Sequence, residues 1–237
     1  MEKIQSGYAF YGQNIGILVF AGTSLRVPGD PGHAKTFSFP VCYEIVDGCF
    51  MRLAKKEPQI RDNLLAGAKK LLSRGVQVIA GDCGLMGLYQ EELGGLGKLC
   101  VSSALCQVPF LWQLAGRQGG IGIITGHSNL LKSEFLTACG CEGIPVAIRG
   151  METEPSFRES IIEGSGELHP EQIEYETVHA AKMLMEEYPH IRAIVLECSN
   201  LATYAHRVAM ETGIPTFDIV SAIKFIEYGI NPPIYPI

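Results

Sequence analysis

Apolar residues follow two alternating rhythms along the chain. Four short continuous runs, Ile15–Phe20 (IGILVF), 76–81 (VQVIAG), Gly120–Thr125 (GIGIIT) and Ile191–Leu196 (IRAIVL), are rich in β-branched residues. They predict strands covered on both faces, the pattern of a parallel sheet. From Pro58, apolar residues recur at Ile60, Leu64, Leu65, Ala68, Leu71 and Leu72, a helical stripe with proline in its first turn and Gly75 at its stop. A second stripe, Pro170–Glu187, presents Ile173, Ala180, Ala181 and Leu184 on one face. Further runs at 39–46, Val108–Leu114 and 144–148 predict three more strands.

The pattern repeats. The segment AKKLLSRGVQVIAGDC, ending at Cys83, can be laid over AKMLMEEYPHIRAIVLEC, ending at Cys198, and each closes a helix and a strand with an acid and a cysteine. Pro109 and Pro215 occupy similar places downstream. The repeat predicts an α/β protein of two pseudo-symmetric lobes facing each other, residues 1–107 with 215–237 forming one and 108–214 the other. Small polar groups follow the strand runs: Gly22, Thr23 and Ser24; Thr125, Gly126, His127 and Ser128; Ser199 and Asn200. The carboxyl ends of strands are where open α/β sheets bind ligands. The proline- and glycine-rich segment 27–40 predicts a long loop suited to a lid, with Arg26 and His33 at its edges, and the polar stretch 150–170 predicts a second cover with Arg149 and Arg158 at its margins.

Composition narrows the function. The 237 residues carry a formal charge of −6, with no local basic patch, which argues against nucleic acid and anionic membranes as partners. No apolar run is long enough to cross a bilayer, and the first residues lack the apolar core of a signal peptide, so a cytoplasmic protein is expected. The eight cysteines then belong in a reducing compartment and show no metal-site spacing. Six of them, Cys42, Cys49, Cys100, Cys106, Cys139 and Cys141, read as packing residues. The segment EELGGLGK departs from a phosphate loop: Glu92 stands at the first glycine position and Leu99 at the Ser/Thr position. No metal or cofactor is expected.

Cys83 and Cys198 remain. Each falls where a strand gives way to a helix, and exposed backbone N–H groups at a helix start favour a thiolate. A thiolate on one face of a carbon and a thiol on the other can remove a proton and return one from the opposite side, inverting a stereocentre. The carbanion needs donors, which Thr23, Thr125, Ser199 and Asn200 supply in kind. Asp82 and Glu197, one residue before each cysteine, alternate away from the sulfurs if the strand geometry continues, which favours a structural role; turned inward, they would raise the thiol pKa.

The units GDC and LECSN, the strand ends AGTS and TGHS, and the segment TGIPTFDIVSAI resemble the aspartate/glutamate racemase superfamily, which includes hydantoin racemases, maleate isomerases and arylmalonate decarboxylases. The resemblance implies two flavodoxin-like lobes with the active site in the cleft between them, a homodimer, and cofactor-independent chemistry on a small carboxylate or amino-acid derivative. It implies Cys83 and Cys198 as the acid/base pair, with Gly22, Thr23, Gly84, Leu85, Thr125, Ser199 and Asn200 around the substrate. Amino-acid racemases of this group follow the first cysteine with Asn and Thr, and the second with Thr and often His; Gly84 and Leu85, then Ser199 and Asn200, stand here instead. The first expectation is a racemase or epimerase. A same-fold isomerase or decarboxylase working with one cysteine, and a ligand-binding protein without catalysis, are the alternatives.

Overall fold

The computed structural model describes residues 7–22 and 25–236. Eight strands are present among them: β1 Ile15–Phe20, β2 Val41–Val46, β3 Val78–Gly81, β4 Leu99–Val101, β5 Gly120–Thr125, β6 Val146–Gly150, β7 Ile191–Leu196 and β8 Thr216–Phe217. The α-helices are α1 Phe50–Ala54, α2 Pro58–Ser73, α3 Gln90–Gly94, α4 Val108–Leu114, α5 Ser133–Ala138, α6 Pro155–Phe157, α7 Pro170–Glu187, α8 Ala205–Thr212 and α9 Ile219–Ile230.

The strands form two four-stranded sheets, ordered β2-β1-β3-β4 and β6-β5-β7-β8, and every pairing is parallel. The two orders are the same order. β1 answers to β5 and β3 to β7, so the sequence repeat is a structural repeat, and the two-lobed α/β class read from the chain holds. Continuous apolar strands follow from helices on both faces: in β1, Ile15, Ile17 and Leu18 are fully buried. The helices α2 and α7 place their predicted stripes inward, Ile60, Leu64, Ala68 and Leu71 on one, Ile173, Ala180, Ala181 and Leu184 on the other. Gly75 ends the α2 unit at φ 88°, a backbone conformation that a side chain disfavours.

One apolar cluster runs through both lobes, joining Ile15, Ile17 and Val78 of the first sheet to Ile121, Ile123 and Val195 of the second. A smaller one, Ile124, Ile194 and Leu196 with Ala181 and Leu184, lies under α7.

Two elements correct the sequence reading. Residues Val108–Leu114, expected as a strand, form α4. Pro109 sits in its first turn, where its missing N–H costs nothing, whereas in an interior strand it would break the ladder. The run buries Val108 and Leu111 and exposes Phe110 and Leu114, a spacing of three that periodicity hides when all but one residue, Gln113, is apolar. The helix α9 was not expected. Asp218 starts it with a capping box, its side chain accepting the Ser221 N–H at 2.7 Å while the Ser221 hydroxyl accepts the Asp218 N–H at 2.9 Å. The chain after residue 215 serves both sheets: β8 pairs with β7, while α9 lies against β4.

Among the described residues no helix is long and apolar enough to cross a membrane, and no group of three His, Cys, Asp or Glu side chains is arranged to hold a metal ion.

Candidate active site

In each sheet the chain runs from the central strand to one neighbour and then crosses to the other: β1 pairs with β2 on one side and β3 on the other, β5 with β6 and β7. Such a reversal opens a crevice beyond the carboxyl ends of the strands. Pairing continues one residue past each inner strand. The Asp82 N–H donates to the Leu18 carbonyl at 3.0 Å, and the Glu197 N–H to the Ile124 carbonyl at 2.8 Å.

There the backbone turns. Cys83 and Cys198, both extended, precede the 3₁₀ turns Gly84–Tyr89 and Ser199–Tyr204. The turns start alike, with Met86 N–H on the Cys83 carbonyl at 2.8 Å and Leu201 N–H on the Cys198 carbonyl at 3.0 Å. Each thiol also faces the N–H two residues on, that of Leu85 for Cys83 and of Asn200 for Cys198. Both cysteines line one cavity of about 210 Å³. Gly22, Gly84, Leu85, Thr125, Ser199 and Asn200 line it with them; Thr23 lies outside the described residues. Phe20, Phe50, Leu130, Ile161 and Ile162 form an apolar wall.

The predicted hydroxyl and amide donors are already engaged. Thr125 Oγ1 donates to Glu197 Oε2 at 2.7 Å, Ser199 Oγ donates to the Asp82 carbonyl, and Asn200 Nδ2 donates to Asp30 Oδ2 at 3.0 Å. The Cys198 thiol sits 3.7 Å from Asn200 Oδ1, the acceptor end of that amide. The permanent cation of the cavity wall is Arg26, which the sequence placed at a loop edge. Its guanidinium makes two bonds to Asp82, at 2.7 and 2.6 Å, and one to Asp30 at 2.5 Å. Segment 27–40 is thereby strapped to both lobes, with Thr203 Oγ1 donating to the Pro28 carbonyl at 3.2 Å as a further tie. His33, Arg149 and Arg158 do not line the cavity; the two arginines pair with Glu187 and Glu163.

The electrostatics reverse one expectation. Burial pushes both thiols up, and the Glu197 charge pushes them further; the N–H groups at the turns lower them by less. Both sulfurs are thereby held as thiols. Burial likewise raises Asp82 to about 6, although Arg26 opposes it, and Glu197 to about 7 against the Thr125 hydroxyl and Gly126 N–H. Asp82 and Glu197 are thus turned inward by the bend after each strand and line the cavity, where strict alternation would have aimed them away.

The chain matches no family model. It is 32% identical to a dimethylsulfoniopropionate lyase of Durusdinium sp. clade D over 218 residues, which cover 87% of this chain and 72% of that one. The chain belongs to the dimethylsulfoniopropionate lyase family. Dimethylsulfoniopropionate lyase 2 of Emiliania huxleyi is a more distant relative, 26% identical over 86% of this chain and 68% of its own. Among solved structures, unliganded arylmalonate decarboxylase aligns with a TM-score of 0.60 at 15% identity over 93% of each chain. Allantoin racemase from Klebsiella pneumoniae aligns at 0.55 and 18% identity, over 92% of this chain and 88% of that one. The fold of this lyase-family member is therefore that of the aspartate/glutamate racemase superfamily.

Sequence reasoning missed Asp30, which carries no motif, and Phe50; the segment 150–170, expected as a cover, does reach the cavity, through Ile161 and Ile162, which the sequence had not singled out. Cys49, read as a packing residue, lines the cavity. The acids before the two cysteines were the available signal for Glu197: a carboxylate repeated at equivalent strand ends is placed by the turn, and only the turn decides which way it faces.

Proposed function

We propose that the chain is a lyase that cleaves dimethylsulfoniopropionate or a close sulfonium carboxylate by β-elimination. A base removes the proton on the carbon next to the carboxylate, and its electron pair becomes the new carbon–carbon double bond. The carbon–sulfur bond breaks with its electrons on sulfur. Dimethyl sulfide leaves as a neutral molecule that needs no proton, acrylate remains, and the proton stays on the base until it passes to solvent. The carrying observation is that Cys83 and Cys198, from mirrored strand ends, line the same cavity of a lyase-family member.

Either thiol, once ionised, can act as that base, a role worth about 10²–10⁴-fold. Arg26, although also paired with Asp82 and Asp30, is the permanent cation on the cavity wall for the substrate carboxylate to approach, and the apolar wall of Phe20, Phe50, Ile161 and Ile162 suits methyl groups on sulfur. The reaction inverts nothing and requires one base, so it uses the proton abstraction half of the two-cysteine scheme.

A second reading is favoured by the near-equivalence of the thiols, each preceding a 3₁₀ turn and facing the N–H two residues on. Such symmetry suits two-base inversion of a stereocentre by a racemase. One experiment separates the two. The wild-type protein, Cys83→Ser and Cys198→Ser are each given dimethylsulfoniopropionate, and separately amino acids and hydantoins in D₂O. The lyase reading expects dimethyl sulfide and acrylate in equal amounts from wild type, and a loss of at least about 100-fold in the variant lacking the base. Deuterium incorporation with racemisation, and no acrylate, sinks it in favour of the racemase.

A further inference from the structure

One of the cavity's carboxyl groups has no cation beside it among the described residues. Of the two carboxylates on its wall, Asp82 gives both oxygens to the Arg26 guanidinium. Glu197 accepts only neutral donors, the Thr125 hydroxyl at 2.7 Å and the Gly126 N–H. Among the described residues no Lys, Arg or His pairs with it. It is 3% exposed, and its carboxylate lies against Gly84, so it sits between the two cysteine turns. A buried carboxylate without a cation is costly to keep, and a Gln would satisfy Thr125 and Gly126 without that cost. It also works against the proposed chemistry, because its charge opposes ionisation of both thiols. Both penalties vanish when a cation arrives. The apolar residues Phe20, Ile161 and Ile162 leave that cation little water to lean on.

We infer that Glu197 is the counter-ion of the substrate's onium group, selecting cationic carboxylates over neutral ones of the same shape. The inference rests on the lyase reading for the identity of the cation, and the same site would take another small onium carboxylate. With the charge of Glu197 met, a cavity thiol loses its proton to solvent water more readily, so the S–H bond breaks to give a thiolate chiefly while substrate is bound.

The test is a binding measurement that needs no turnover. Calorimetry on the full chain carrying Cys83→Ser and Cys198→Ser compares dimethylsulfoniopropionate with 4-methylpentanoate, which replaces the sulfonium by a neutral CH, with and without Glu197→Gln. A preference for the sulfonium of about 10- to 100-fold is expected with Glu197, falling to within about threefold in Glu197→Gln. Undiminished preference in Glu197→Gln overturns the inference, as does the absence of any preference with Glu197 present. A second measurement leaves Glu197 in place. The preference should fall as pH drops through about 7, where Glu197 takes a proton, while Asp82, Arg26, His127, Cys83, Cys198 and Cys139 are the other groups facing it; a preference flat from pH 5.5 to 8.5 also overturns it. Acrylate formation by wild type with an undiminished preference in Glu197→Gln defeats this inference alone. No acrylate, with a preference that depends on Glu197, defeats the lyase reading alone.

Discussion

Replacing Arg26 by Met should destabilise the protein by an amount that grows with pH. The guanidinium makes two bonds to Asp82 and one to Asp30, carboxylates that are 5% and 1% exposed. Asp30 keeps the Gly32 N–H at 2.7 Å and the Asn200 amide, so its loss is one charged hydrogen bond, about 1.5–3 kcal/mol. Asp82 loses its cation altogether. In the wild type it sits at about 6, above the value of about 3.9 for an unfolded chain, so its contribution is complete below about pH 4 and declines as pH rises to 6. Without Arg26 the carboxyl holds its proton to higher pH. Each pH unit above 6 then adds about 1.4 kcal/mol to the deficit, making it about 3–4 kcal/mol at pH 7 and about 4–6 kcal/mol at pH 8. Urea melts followed by circular dichroism at pH 5, 7 and 8 measure this directly. A deficit that is constant across the three, or largest at pH 5, refutes the assignment of Arg26 as the partner of a buried, proton-hungry Asp82.

Two other expectations follow from the same geometry. Because burial and Glu197 hold both thiols above their ordinary range, kcat/KM for acrylate release should climb by about tenfold per pH unit from 6 and show no plateau by pH 8.5; a plateau below pH 8 would mean the reacting base is not one of these thiols. Gly84→Ala should cost about 1–3 kcal/mol in a thermal melt and abolish activity, since its methyl group would run into the Glu197 carboxylate, whereas Gly126→Ala, whose methyl would meet Cys198 Sγ at 3.4 Å, should be far milder; equal behaviour of the two contradicts the crowding at Gly84.

The regular elements that carry the site were legible because their signals are local. A continuous β-branched run, a stripe at helical spacing and a glycine stop each depend on near neighbours, and their repetition exposed two lobes and the paired cysteines. Where nearly every residue was apolar, as in Val108–Leu114 with Gln113 its single polar side chain, the local signal was weak about period, and the surrounding packing settled it as a helix. The donors show a different failure. Thr125, Ser199 and Asn200 are polar groups at strand ends in the sequence, but whether such a group meets substrate or a neighbour depends on what the other lobe and segment 27–40 bring to it. Asp30 lies 170 residues from Asn200 and still holds its amide.

Sequence alone determined the α/β class, the internal repeat and the placement of Cys83 and Cys198 at equivalent strand ends, because strand, turn and helix starts are fixed by interactions within a few residues. Tertiary structure decided the charge state of the site. Burial, the inward turn of Asp82 and Glu197, and the capture of Arg26 by two carboxylates all depend on distances between segments far apart in the chain. Electrostatic energy in a cavity depends on those distances and on excluded water, neither of which a linear order of residues contains.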